Sequence, residues 1–132
     1  MSAIGASDAQ VRADAADGAA SILAATGRNP RYFRPPFGYF TDAALGIWNS
    51  LGLFAINWSI DSNDWRDPSN ADAAFANIAS SLNADPNSGH IVLCHDTHTA
   101  CLDAFPRIVE LFKDNGYSFV TLEQCLGVAP YQ

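Results

Sequence analysis

Short apolar runs alternate along this chain with longer segments of helical period, and no other feature limits its possible folds as strongly. Leu53–Trp58 and His90–Cys94 are too short for helices and too continuously apolar for strands with one wet face. They read as strands covered on both faces, with Arg31–Arg34 and Tyr117–Leu122 as two further strands. Helical segments separate them. Ser7 and Gln10 have the spacing of a capping box, followed by Val11, Ala15, Gly18, Ala19, Ile22 and Leu23 at helical intervals and Gly27 as the stop. Thr41 caps a second helix that buries Leu45, Trp48 and Leu51 and ends at Gly52. Ser69 or Asn70 caps a third, with Phe75, Ile78, Ala79 and Leu82 on one side. The last opens at Asp103 or a neighbour, which keeps Pro106 in the first turn, and runs to Gly116. Its apolar face is Leu102, Phe105, Ile108, Val109 and Phe112. Helices alternating with strands give βα units, a parallel sheet and the α/β class. A closed barrel of such units needs roughly 200 residues or more. These 132 residues are therefore expected to form a partial (β/α) barrel.

At 48% hydrophobic and 16% charged the composition is globular, and the length is that of one domain spanning 1–132. A net charge of −7 with no Lys/Arg cluster argues against nucleic acid or an anionic membrane as partner. A neutral, hydroxyl-rich ligand such as a glycan is compatible with it. No apolar run approaches the roughly 20 residues needed to cross a bilayer. The start, Met1-Ser2-Ala3-Ile4-Gly5, has neither the basic region nor the apolar core of a secretory signal. Three cysteines (Cys94, Cys101, Cys125) leave at least one unpaired, which fits a reducing compartment or a partner lost from the chain.

Three motifs follow one another at the ends of expected strands, where α/β-barrel enzymes keep their chemistry. In Arg34-Pro35-Pro36-Phe37-Gly38 the two prolines stiffen the backbone, so the loop can hold the Arg fork against a carboxylate and present the Phe37 N–H to an oxyanion. A structural turn with a surface Arg is the alternative. In Asp61-Ser62-Asn63-Asp64-Trp65 the two carboxylates suit an acid/base pair, a metal fragment or a capped turn. In Ile91-Val92-Leu93-Cys94-His95-Asp96 the imidazole at a strand's carboxyl end suits a general acid, or a loop histidine bonded to backbone. Cys94, His95, His98 and Cys101 offer two thiols and two imidazoles, the ligand types zinc prefers, although strand alternation separates Cys94 from His95. His90, at the start of its strand, reads as structural.

The ordered set resembles the later motifs of the polysaccharide deacetylases, the NodB-homology family (carbohydrate esterase family four) that includes the fungal chitin deacetylases. The resemblance implies a domain of that type with its first strands and helices missing. It implies hydrolytic N-deacetylation of N-acetylglucosamine polymers, chitin being the best guess, in an extracellular or cell-wall setting. The matching residues would take these roles: His95 protonates the departing amine, Asp64 hydrogen-bonds His95, and Arg34 orients the base. The Phe37 N–H joins the oxyanion hole, and Trp65 and Leu93 wall the acetyl pocket. Asp61 receives no direct role, and Asp96 supports the loop. The family's Thr-Phe-Asp-Asp-Gly and His-x-x-x-His segments, which supply the base and the ligands of a divalent metal (usually zinc), do not occur here. The expectation is therefore no metal site and no turnover by this chain alone, with a non-catalytic glycan binder as the alternative. Met1 would match an internal methionine, and Cys125 resembles a fungal cysteine whose partner lies near the start of the family domain. An open sheet edge would also allow homo-oligomers.

Overall fold

A computed structural model describes residues 5–132, so the reading of Met1–Ile4 lies outside the described residues. The chain divides into two compact units, Met1–Asn57 with Val120–Gln132, and Trp58–Phe119.

In the first unit, α1 (Asp8–Thr26) begins where Ser7 Oγ accepts the Gln10 N–H at 3.3 Å. Gln10 turns its side chain to Asp14 (2.7 Å) instead of back to the cap, so only half of the expected capping box forms. Gly27 closes the helix at φ 71°, a conformation that costs a residue with a side chain about 1 kcal/mol or more. Of the expected apolar face only Val11 is buried, while Ile22 and Leu23 are exposed. β1 (Tyr32–Phe33) pairs in parallel with β2 (Phe54–Ala55), Tyr32 opposite Phe54. α2 (Asp42–Ser50) starts at Thr41, whose hydroxyl accepts the Ala44 N–H. Its Ala44, Ile47 and Trp48 pack with Val11 and Leu53, and the rings of Phe33 and Phe40 stand edge-on to Trp48 at 4.7 and 5.8 Å. Phe54 is 43% exposed, so the strand expected to be covered on both faces is covered on one.

The return of the chain completes this unit. Tyr117–Leu122, expected as a strand, forms none: the segment is irregular up to Thr121 and then enters α5 (Leu122–Leu126). Thr121 and Gln124 make a full capping box, and that local hydrogen bonding outweighs the aromatic and β-branched composition. Tyr131 bridges antiparallel to Pro30, the Tyr32 hydroxyl donates to the Val128 carbonyl, and the Gln132 amide donates to the carbonyls of Leu51 and Gly52.

The second unit runs β3 (Ile60–Asp61), α3 (Ala71–Ala84, capped by Asn70), β4 (Val92–Leu93) and α4 (Thr99–Asp114). β3 and β4 pair in parallel, Ile60 opposite Val92 and Asp61 opposite Leu93. Ile60, Ile78, Leu82, Cys101, Ala104, Ile108 and Phe112 form its core. α4 opens a full turn earlier than expected, so Pro106 lies in its interior, where it has no N–H for the carbonyl of residue 102. The earlier start also changes the buried face. Ala100, Ala104, Ile108 and Phe112 form an i, i+4 row turned inward, while Leu102 and Phe105 are more than half exposed. β1, β2 and β4 are shorter than the expected strands they fall in, β3 lies beyond the expected strand Leu53–Trp58 and was not foreseen, and the expected single sheet is realised as two parallel pairs. Among the described residues no helix is long and apolar enough to cross a membrane.

Candidate active site

The parallel pairing of β3 with β4 brings the carboxyl ends of both strands side by side, and the chain leaves each through a hydrogen-bonded turn. After β3, Asp61 accepts the Asn63 N–H at 2.8 Å, and Asn63 takes a left-handed φ of 55°, which Asn tolerates better than most residues. Ser62 Oγ then accepts the Asp64 N–H, and the Ser62 carbonyl accepts from Asn77 of α3. These turns bury Asp64 to 1% exposure.

The buried carboxylate meets the residue after Cys94. His95 donates its backbone N–H to Asp64 Oδ2 at 2.7 Å, and its Nδ1 lies 2.7 Å from Asp64 Oδ1. An ionised carboxylate offers acceptors only, so Nδ1 carries the ring proton and Nε2 is left for proton exchange. The imidazole keeps 25% of its side chain exposed. Burial by itself would raise the Asp64 pKa. The His95 ring and backbone donors, the charge on that ring and the Ser62 hydroxyl outweigh it, and Asp64 sits below the ordinary value of 3.8. The pair is thus an ionised, buried carboxylate holding a partly exposed imidazole in one tautomer, an arrangement that suits a general acid.

Other expected residues take simpler places. Leu93 is buried on β4, directly before Cys94 and His95, and its carbonyl accepts the Ser62 N–H. Trp65 is half exposed with the Arg66 guanidinium 4.6 Å over its ring. His90 is structural, bonded to Ser59 and to the Asp85 carbonyl. In the first unit Arg34 is exposed and helps line a cavity of about 290 Å³ with Gly18, Ile22, Phe33 and Trp48. Pro35 is buried, and Pro36–Gly38 form a 3-10 turn with Phe37 at φ 59° and its ring 72% exposed. A ring with so little burial does not repay a left-handed backbone. Phe37→Gly is expected to be neutral or stabilising by up to about 1 kcal/mol in urea denaturation. A loss greater than about 1 kcal/mol would show that the ring anchors the turn.

The four-ligand zinc candidate is overturned, because Cys94 and Cys101 form a disulfide that encloses His95–Ala100 (Cα–Cα 6.0 Å). Bonded sulfurs have no thiolate to give a metal. His98 instead stands at the N-terminus of α4, its ring 5.4 Å from that of His95. The donor atoms of Asp64, Cys94 and Cys101 lie within 4.8 Å of one another. They do not fit the divalent metal that the motifs imply: both sulfurs are in the bridge and both carboxylate oxygens hold His95. Two supporting parts escaped the sequence reading, the Ser62 hydroxyl behind Asp64 and the disulfide around His95. The Asp-Ser-Asn-Asp run, rich in side chains that bond nearby backbone, was a signal for the first.

Known proteins share sequence and fold with this chain. A family model described as polysaccharide deacetylase matches residues 3–56. A chitin deacetylase of Amylomyces rouxii is 34% identical over 103 residues, 70% of this chain and 24% of that protein. A peptidoglycan-N-acetylglucosamine deacetylase of Bacillus cereus is 34% identical over 98 residues, 70% of this chain and 36% of that protein. The chain thus spans between about a quarter and about a third of the length of these two relatives. The solved chitin deacetylase of the fungal pathogen Colletotrichum lindemuthianum superposes with a TM-score of 0.90 at 24% identity, over 100% of this chain and 62% of that one, a likeness of fold. With matched segment, relatives and fold in agreement, the chain belongs to the polysaccharide deacetylase family.

Proposed function

We propose that these residues serve the hydrolytic removal of acetyl groups from N-acetylglucosamine polymers, of the chitin or peptidoglycan type. The observation that carries this reading is the buried Asp64 carboxylate bonded to both the backbone and the ring of His95. A buried carboxylate that fixes the tautomer of an imidazole still open to solvent suits proton transfer. His95 acts as the acid, handing its Nε2 proton to the departing amine while Asp64 steadies the imidazolium. Arg34 orients a base carboxylate, the Phe37 N–H donates to the oxyanion, and Trp65 and Leu93 flank the acetyl group. A divalent metal in such enzymes polarises the amide and activates water. The residues of this chain supply neither its ligands nor the base. The reading therefore assigns those groups to chain beyond the 132 residues, and the open edges of the two strand pairs suit added strands or a second copy. The disulfide suits an oxidising setting such as the extracellular space or cell wall.

Acetate release from chitin oligomers and peptidoglycan fragments tests the reading. The 132-residue chain should release none with or without zinc, whereas a protein joining it to the base and ligand segments should release acetate in a chelator-sensitive way. Chelator-sensitive turnover by the chain alone overturns the assignment of the missing groups. Stoichiometric glycan binding without turnover by the joined protein overturns the enzymatic reading in favour of a binder.

A further inference from the structure

The run Phe37-Gly38-Tyr39-Phe40 carries three aromatic rings, and the fold uses one of them. Phe40 turns inward, its ring edge-on to Trp48 at 5.8 Å. Tyr39 has an extended backbone (φ −101°, ψ 131°), so its side chain leaves on the opposite side, and it is 64% exposed. Phe37 is 72% exposed on its left-handed backbone. The loop is shaped by its prolines and its backbone. Pro35 is buried, Gly38 and Tyr39 donate their N–H groups to the carbonyls of Pro35 (3.0 Å) and Pro36 (3.4 Å), and the Asn57 amide donates to the Gly38 carbonyl at 3.2 Å. A bulky residue held in a left-handed conformation without packing gain is a cost to the fold, and such costs gather at ligand sites.

Residues 35–41 include no charged side chain, so the ligand that suits this loop is neutral and offers an apolar face. A β-linked N-acetylglucosamine unit does both: its axial C–H groups form the face, and its hydroxyls stay in water. We infer that the exposed rings of Phe37 and Tyr39 are a stacking surface for the sugar units beside the one that loses its acetyl group. The inference rests on the deacetylase reading, in which the Phe37 N–H donates to the oxyanion. Ring and N–H belong to one residue, so a polymer whose acetyl group reaches that N–H runs past the ring. Residue 37 then serves the chemistry through its backbone and the grip on the polymer through its side chain.

Chitohexaose binding to the 132-residue chain tests the surface without turnover, by calorimetry and by NMR saturation transfer. Irradiating the aromatic protons should transfer saturation to the axial sugar C–H protons. Tyr39→Ala and Phe37→Gly should each weaken binding about 5-fold or more, although Phe37→Gly keeps the backbone N–H. Tyr39→Phe should bind like the unsubstituted chain, because stacking needs the ring and not the hydroxyl. Circular dichroism should show both truncated variants folded. No binding by the unsubstituted chain at millimolar sugar, unchanged affinity in both truncated variants, or an equal loss in Tyr39→Phe and Tyr39→Ala each overturn the inference. So does self-association that Tyr39→Ala abolishes, which would give the rings to a second copy. Loss of the surface while the joined protein still releases acetate leaves the deacetylase reading intact, whereas ring-dependent binding without acetate release supports the surface and sinks that reading.

Discussion

In a deacetylase that joins these residues to a base and a metal-ligand segment, His95→Ala is expected to lower kcat by about 10²- to 10⁴-fold, the usual contribution of a positioned general acid. The loss should fall on kcat more than on KM, because a proton given up in the transition state adds little to ground-state binding. Removing the ring also takes a donor from the buried Asp64 carboxylate, so a lower melting temperature is expected as well, and kcat is to be compared well below it. A fall in kcat of less than about tenfold would remove His95 from the acid role.

Asp64→Asn should be costly in a different currency, the stability of the fold. The substitution leaves the His95 donors facing an amide in a site that is 1% exposed, a loss of about 2–4 kcal/mol near pH 7. The cost should depend on pH with a definite sign. Asp64 titrates below 3.8 in the folded protein, so its stabilising contribution is complete above the unfolded carboxylate value of about 3.9. That contribution is lost as pH falls through the folded value. Urea midpoints of the two proteins should therefore lie apart from pH 7 down to about 5 and converge toward pH 3. A separation that stays constant through pH 3 would mean that the carboxylate's charge contributes nothing to the fold.

What the sequence made legible was whatever hydrogen bonds locally. Ser7, Thr41 and Asn70 cap the helices they were expected to cap, and Gly27 stops α1 in the left-handed conformation. The parallel pairing followed from the alternation of elements, and the meeting of Asp64 with His95 followed from the motifs. What failed depended on neighbours distant in sequence. Leu102 and Phe105 belong to a plausible apolar face, yet the small Ala100 and Ala104 were the ones turned inward. Nothing local in Thr99–Pro106 favours the earlier start, since a proline so placed argues for a helix opening later. The Cys94–Cys101 bridge was invisible for a related reason: a spacing of seven permits a disulfide, a zinc pair or neither until the strand and helix carrying them are placed. In Tyr117–Leu122 two local signals competed, and the capping box prevailed over strand composition.

The discontinuous make-up of the first unit sets an order of events during synthesis. Trp58–Phe119 contains all of β3, α3, β4 and α4, so this unit can condense once residue 119 has left the ribosome. The other unit must wait for the last residues, because Tyr131 pairs with Pro30 and Gln132 reaches Leu51 and Gly52 across about eighty positions of chain. Closing so long a loop is slow compared with the local contacts of the second unit. Until it closes, the apolar cluster of residues 6–55 is present but Pro30, Tyr32, Leu51 and Gly52 lack their partners from the returning segment, which leaves this unit more open to proteases. The nascent chain thus assembles its histidine–aspartate pair before the segment bearing Arg34 has finished folding.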